Sequence, residues 1–186
     1  WFKNIVLGAT MLALCVVVFG AYVRLTDAGL GCPDWPGCYG TLTVPESVAA
    51  IEKAQANYPD SSIDNKKAWI EMIHRYIAAI LGFLILSLAF LAYRKKDEIN
   101  VKPSLVYGLL GLVIAQGMLG MWTVTELLMP IIVSLHLLGG MTTLGLLTYI
   151  SHRHWGTVSD KLISLNPTSI KIIRFSFVIL FIQIFL

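Results

Sequence analysis

The chain has 186 residues, of which 56% are hydrophobic and only 13% are charged, and its formal net charge is +3. Soluble domains carry roughly a quarter charged residues, so this composition excludes an ordinary soluble protein and indicates a membrane protein. Because the charge is small and no basic stripe is interleaved with aromatic residues, the sequence also argues against a nucleic-acid-binding protein.

Four apolar stretches are long enough to cross a bilayer as helices, which takes about 20 residues each. They run from Ile5 to Val23, Ile73 to Tyr93, Leu105 to Val124 and Met129 to Ile150. A fifth apolar stretch begins near Phe175 and is still apolar at Leu186. We therefore predict an all-α, polytopic membrane bundle of four complete helices and the start of a fifth, in a chain cut at both ends.

The loops between these stretches differ in charge. Residues 94–102 and 151–174 are basic, whereas the long loop over residues 24–70 carries charges of both signs. Loops rich in Lys and Arg stay on the cytoplasmic side of a membrane. We therefore predict a cytoplasmic N-terminus, two cytoplasmic basic loops and an external loop over residues 24–70.

The external loop contains a sequence typical of a helix start. Thr43-Val-Pro-Glu46 has the spelling of a capping box with a proline in the first turn, and apolar residues then recur at helical spacing as far as Asn57-Tyr-Pro59. This pattern predicts a short helix on the membrane surface or over the mouth of a cavity. A solvated linker is the alternative.

Cys32 and Cys38 bracket a short segment of the same loop. Outside the cytoplasm such a pair favours a disulfide, and so short a ring stabilises a fold by only about 2 kcal/mol in the entropic model. A structural loop cap and an exchange of electrons both remain open as its role. We interpret Cys15 as a small apolar residue buried within the first helix.

Ionisable residues are costly inside a bilayer and are therefore candidates for function. Glu71 and His74 share one helical face at the outer end of the second apolar stretch, Arg75 follows, and His136 lies about two turns into the fourth stretch. In the predicted topology both histidines lie in the outer half of the membrane at similar depths on parallel helices. Six-coordinate haem iron requires this arrangement in a helical bundle.

Each feature also has a purely structural interpretation. A lone histidine is most often a packed, hydrogen-bonded residue, but the matched depth and the neighbouring Glu71 and Arg75 favour haem or metal binding. Arg75 suits a haem propionate and equally suits Glu71. Seven glycines in the third and fourth stretches permit either close helix packing or a flat ligand: Gly108, Gly111, Gly117, Gly120, Gly139, Gly140 and Gly145.

At these motifs the sequence resembles the haem A synthase family of cytochrome oxidase assembly proteins. The matching stretches are residues 20–40, which include both loop cysteines, then Glu71-Met-Ile-His-Arg75, residues 116–124 and residues 130–140. They occur in the order found in the family and are spread over all four complete helices. The loop over residues 44–67 looks like the proteobacterial form.

The resemblance implies eight transmembrane helices in two similar halves. Residues 1–150 would be the N-terminal half that binds the substrate haem, residues 151–174 a cytoplasmic linker, and residues 175–186 the start of the second half. Glu71 would be the catalytic group, His74 and His136 the axial ligands of the haem iron, and Cys32 and Cys38 the loop cysteine pair of many members.

The resemblance also implies an activity, which is the oxidation of a ring methyl group of haem O to a formyl group, giving haem A for cytochrome oxidase. A haem b cofactor would lie in the C-terminal half, beyond Leu186. The expected location is a bacterial inner membrane, and the expected partners are haem O synthase and oxidase assembly factors, with homo-oligomerisation left open. Alternatives are a di-haem cytochrome b-type electron carrier, a membrane thiol-disulfide oxidoreductase and a bundle without a cofactor.

Overall fold

The computed structural model describes residues 1–95, 99, 101–155 and 175. Most of the predicted linker, and the predicted fifth helix apart from Phe175, lie outside the described residues. The described part contains five helices and no strand: α1 (Phe2–Leu25), α2 (Val48–Asn57), α3 (Asn65–Arg94), α4 (Pro103–Thr125) and α5 (Pro130–Trp155).

Four of these helices, α1, α3, α4 and α5, are long and apolar enough to cross a membrane. The outward face of α1 shows why they suit lipid, since large apolar side chains are exposed there at helical spacing while small residues pack inward. The exposed residues are Leu7, Met11, Leu14 and Val18, and the inward ones include Ala9 and Ala13. The predicted all-α membrane bundle is therefore confirmed.

The four long helices form a ring. Helix α1 packs against α3 and α5, and α4 packs against the same two helices. Helices α3 and α5 consequently face each other across the centre of the bundle. Ligand sites in helical bundles are built from side chains on facing helices, so this pairing decides which side chains can share a ligand.

Two apolar clusters divide the structure along the bundle axis. The first fills the half remote from the loop, where Val6 of α1, Leu88 of α3, Leu109 of α4 and Leu147 of α5 are all fully buried. The second lies at the loop end, where residues of the loop pack on the first turns of α3: Cys32, Cys38, Tyr39, Val44, Ala54, Ala68 and Met72. The first cluster therefore does not extend into the half of the bundle next to the loop.

The helix ends differ from the sequence prediction where polar residues continue a helix. Helix α3 begins at Asn65 rather than Ile73, because the Asp64 carboxylate caps it by accepting from the Lys67 backbone N–H at 3.1 Å. Helix α5 extends to Trp155, past the predicted boundary at Ile150. Hydropathy locates the apolar part of a helix and not its hydrogen-bonded ends.

The short loop helix is present, but its predicted start is wrong. Helix α2 begins at Val48 and is capped by Ser47, whose hydroxyl accepts from the Ala50 N–H at 3.2 Å. Thr43 lies four residues before this cap and makes its contacts within the loop, where its hydroxyl donates to the Val44 carbonyl and its own carbonyl accepts from the Thr41 hydroxyl. The predicted end at Asn57 is confirmed.

The interpretation of Cys15 as a buried residue is also wrong. Its thiol is free and exposed on the outer surface of α1. Helix α1 packs inward through Ala9 and Ala13, and a residue two positions after Ala13 is turned about 200° away from it. Cys15 therefore lies on the face that would contact lipid.

Candidate functional site

His74 and His136 lie on the two helices that face each other across the bundle. His74 is in the third turn of α3 and His136 in the second turn of α5, counted from helix starts at Asn65 and Pro130. The two imidazoles are close enough to interact electrostatically. The structure therefore brings together the two histidines that the sequence singled out.

The His74 ring is held against α1. It stacks on Phe19 with ring centroids 6.4 Å apart and an angle of 12° between the ring planes. A Cβ atom at Gly20 would lie 3.0 Å from His74 Cε1, which is tighter than ordinary van der Waals contact. Glycine at position 20 thus provides the space that the imidazole occupies.

The His136 ring has a corresponding position against α4. A Cβ atom at Gly120 would lie 3.5 Å from His136 Cε1, and the Gln116 backbone lies beside the same ring. The Gln116 side chain crosses to α5, where it fills the space that a Cβ atom at Gly139 would need. Each histidine ring therefore packs against a glycine of a neighbouring helix, His74 against Gly20 and His136 against Gly120.

Each imidazole carries a nitrogen that no protein group satisfies. Within the described part of the chain, Nδ1 of His74 and Nδ1 of His136 are buried without a hydrogen-bond partner, although each residue as a whole remains partly accessible. Buried polar atoms are normally paired, so such exceptions call for a functional explanation. Each ring is partly accessible and keeps one nitrogen without a protein partner, although His136 also makes a hydrogen bond with the Gln116 backbone. A free ring nitrogen on each histidine suits the binding of a metal centre.

The donor set suits haem better than a bare metal ion. No group of three or more His, Cys, Asp or Glu side chains that could hold an ion occurs among the residues described here. A porphyrin supplies four equatorial nitrogens itself, so its iron needs only two axial ligands from the protein. Two imidazoles on facing helices match that requirement.

Glu71 lies one helical turn before His74 and is buried, with 4% of its surface exposed. One carboxylate oxygen accepts from the Cys32 backbone N–H at 2.9 Å, and the other accepts from the Arg75 guanidinium. Both contacts are hydrogen bonds to the charged form of the carboxylate. The side chain is therefore fixed in position at the loop end of the bundle.

Arg75 joins α3 to the loop. One guanidinium nitrogen pairs with Glu71, and the other donates to the backbone carbonyls of Asp34 at 2.9 Å and Gly37 at 2.5 Å. Of the two roles that the sequence left open, the structure contains the pairing with Glu71. The contact with a haem propionate stays a prediction.

Cys32 and Cys38 form a disulfide with their Cα atoms 4.8 Å apart, as the sequence predicted. Both cysteines are fully buried in the loop cluster. The ring backbone is held further by the Asp34 carboxylate, which accepts from the backbone N–H groups of Tyr39 and Gly40 at 2.6 and 2.8 Å. The disulfide is thus the centre of a packed cap on the first turns of α3.

Charge around this cap acts on Tyr39, whose ring belongs to the loop cluster. Burial raises the pKa of the Tyr39 phenol above its usual value, and the negative charges of Asp34, Glu71 and Asp64 raise it further. The phenol therefore stays neutral at physiological pH and donates to the Ser62 carbonyl at 3.3 Å.

Sequence reasoning missed three residues of this site: Phe19, Gly20 and Gln116. A glycine on the inward face of a transmembrane helix was the available signal for Gly20, because Ala9, Ala13 and Gly20 share one helical face. Of the seven glycines singled out in the later helices, only Gly120, Gly139 and Gly140 have atoms within 4 Å of an added Cβ. The other four are exposed and an added Cβ atom would meet nothing within 4 Å, so these glycines do not pack closely against another helix.

The fold and the site together define a polytopic helical membrane protein with a histidine pair at the centre of its bundle. Residues 3–186 match the COX15-CtaA family, cytochrome oxidase assembly protein, and the chain belongs to this family. The family predicted from the sequence motifs is therefore confirmed.

Similar proteins are named haem A synthase. The chain is 50% identical over 147 residues to a haem A synthase of Shewanella oneidensis, covering 79% of this chain and 43% of that protein. It is 31% identical over 138 residues to the haem A synthase COX15 of Saccharomyces cerevisiae, covering 66% of this chain and 28% of that protein. The chain spans less than half the length of these relatives. No solved structure matches it.

Replacing both loop cysteines with Ser should leave the four long helices assembled in the membrane. So short a ring restrains the unfolded chain by only about 2 kcal/mol, and the bundle core at the other end does not involve the loop. Circular dichroism and gel filtration of the purified protein check this, with Cys15→Ser, an exposed thiol, as the control. Loss of membrane insertion in the double variant alone would contradict it.

Proposed function

We propose that this chain is the substrate-binding half of a haem A synthase, which oxidises a ring methyl group of haem O to a formyl group. One observation carries the proposal: two imidazoles with unpaired buried nitrogens lie on facing helices, and one of them, His74, is one helical turn from a buried carboxylate. Membership of the cytochrome oxidase assembly family and the names of the relatives support it.

In this proposal His74 and His136 bind the iron of haem O from its two faces. Axial ligation from two facing helices would hold the macrocycle at the level of the two histidines, one helical turn from Glu71, where a ring methyl group can lie beside the carboxylate. Such positioning raises the rate of the reaction because the methyl group and the carboxylate are already adjacent when the haem is bound. Gly20 and Gly120 serve by leaving room for the two rings.

The net reaction takes one water and the methyl group to a formyl group with release of four protons and four electrons. It passes through a hydroxymethyl group and a gem-diol that loses water. Glu71 would accept protons from the reacting carbon substituent and stabilise positive charge that develops there. The electrons would leave through the haem b that the family resemblance assigns to the second half.

The same proposal sets the location and the orientation. The chain would lie in a bacterial inner membrane with its N-terminus in the cytoplasm and the disulfide loop outside, where a disulfide persists. Haem O is the substrate, and haem O synthase, which would supply it, is the expected partner.

The histidine pair alone would equally suit a di-haem cytochrome b-type electron carrier. The cysteines argue against a thiol-disulfide oxidoreductase, since the Cys32–Cys38 disulfide is fully buried and the remaining thiol, Cys15, lies on the outer face of α1. Extraction of the pigment from the purified full-length protein separates these functions. Haem O or haem A beside haem b supports the synthase, haem b alone supports the electron carrier, and a protein without haem contradicts both.

An added methyl group at Gly20 should disturb the haem site selectively. The Cβ atom of Gly20→Ala would push on the His74 ring from 3.0 Å, so we expect haem O binding to weaken by about 1 kcal/mol, roughly fivefold. Gly120→Ala, with 3.5 Å to His136, should have a smaller effect.

Gly8→Ala is the matched control on the same helix, because an added Cβ atom at Gly8 meets nothing within 4 Å. Spectroscopic titration of the full-length variants with haem O measures all three affinities. Equal affinities for Gly20→Ala and Gly8→Ala would contradict the placement of haem beside His74.

A further inference from the structure

Glu71 is held mainly by groups that belong to, or are fixed by, the ring closed by the Cys32–Cys38 disulfide, and the backbone of Gly31, just before that ring, is a further partner. One carboxylate oxygen accepts from the backbone N–H of Cys32, the first residue of the ring. The other oxygen is paired with Arg75. The Arg75 guanidinium is in turn fixed by the ring carbonyls of Asp34 and Gly37.

The geometry makes Arg75 a bridge with both of its terminal nitrogens occupied. Nη2 is used by Glu71, whereas Nη1 is shared among carbonyls of the ring, including that of Pro36 at 3.5 Å. A planar guanidinium can bond two partners in fixed directions at once, which a lysine ammonium cannot do with the same rigidity. The position of the Glu71 carboxylate therefore depends on the conformation of the disulfide ring through Arg75.

We infer that Arg75 and the Cys32–Cys38 ring together act as a positioning device that holds the Glu71 carboxylate in one place, one helical turn from His74. The inference rests on the proposed function, in which Glu71 acts on the haem methyl group. It assigns Arg75 as a positioning residue rather than a propionate ligand. It assigns the disulfide to holding the carboxylate and not to carrying electrons.

If the Glu71 carboxylate is no longer held in place, the rate of haem A formation should fall more than the affinity for haem O. The haem would still be held by His74 and His136, while a displacement of the carboxylate by about 1 Å is enough to lower a rate by about 100-fold. The two parts of the device should therefore fail in the same way, although one is a salt bridge and the other a disulfide.

The test compares Arg75→Gln, Arg75→Lys and the Cys32→Ser/Cys38→Ser double variant in the full-length protein. We expect kcat for haem A formation to fall by about 10- to 100-fold in Arg75→Gln and in the double variant, with KM and the spectrum of bound haem O nearly unchanged. Arg75→Lys should recover part of the loss, since it restores the charge beside Glu71 but not the second set of bonds.

Tyr76→Phe is the matched control. The Tyr76 hydroxyl donates to the Leu42 carbonyl at 2.6 Å, so this variant also removes a bond between α3 and the loop, but one that does not reach Glu71. Its turnover should stay within about twofold of the parent, because a single exposed hydrogen bond contributes little. Normal kcat in Arg75→Gln, or a raised KM with unchanged kcat, would overturn the inference, and the second result would point to a propionate ligand.

A second measurement does not depend on activity. Modification of Glu71 by a membrane-permeant carbodiimide, read by peptide mass spectrometry, should increase several-fold in Arg75→Gln and in the double variant and stay unchanged in Tyr76→Phe. Unchanged modification in the first two variants would overturn the positioning role. If the parent protein makes no haem A, the proposed function fails, and the modification pattern still decides whether Arg75 and the ring hold Glu71.

Discussion

Replacing Glu71 with Gln in the full-length protein should leave haem O bound and lower haem A formation by about 10²- to 10⁴-fold, the usual contribution of a general acid-base group. The amide keeps the size of the side chain but loses its charge and its basicity. It also offers one acceptor oxygen where the carboxylate uses two, for Cys32 and Arg75. Loss of rate without loss of binding marks a group that acts mainly in the transition state.

Chromatography of the extracted haems during a time course measures this effect, and a hydroxylated intermediate should accumulate beside haem O. Glu46→Gln is the control, because Glu46 is another loop-end carboxylate, bonded to the Trp69 indole at 2.8 Å and exposed. Near-normal haem A production by Glu71→Gln would reduce Glu71 to a structural partner of Arg75.

Removing either histidine should affect binding instead. His74→Ala and His136→Ala should each weaken haem O binding by at least about tenfold, or about 1.4 kcal/mol. The remaining haem should change from a six-coordinate, low-spin spectrum to a five-coordinate or water-bound one, because one axial ligand is missing. Absorption and electron paramagnetic resonance spectra of the purified full-length variants measure both effects.

His152→Ala is the control for this pair, since His152 is exposed at the opposite end of α5 from His136. Its haem spectrum and affinity should match those of the parent protein. Addition of free imidazole should partly restore the six-coordinate spectrum of His74→Ala or His136→Ala. Parental spectra in both histidine variants would show that the iron is bound elsewhere.

The bundle could be predicted from the sequence because a bilayer requires long apolar helices, and four such stretches are unmistakable. The helix ends could not, because they depend on individual caps. Asp64 starts α3 within a polar sequence, and Ser47 rather than Thr43 starts α2. The spelling of a capping box at Thr43 therefore does not identify the residue that caps α2.

The pairing of His74 with His136 could also be predicted, since helix direction and depth follow from the order of the spans. The surroundings of Glu71 could not, because its partners are backbone N–H groups and an arginine that bonds backbone carbonyls. Every residue has a carbonyl, so no pattern of side chains identifies the ones that Arg75 contacts across 38 to 41 residues. The role of Gly20 likewise depends on how α1 is rotated against α3.

The most direct test is an experimental structure of the full-length protein with haem O bound. The account predicts the iron in the first half of the protein, coordinated by both His74 and His136, with Glu71 beside one ring methyl group and still bonded to Arg75. Haem O coordinated by neither histidine, or lying outside the ring formed by α1, α3, α4 and α5, would contradict it.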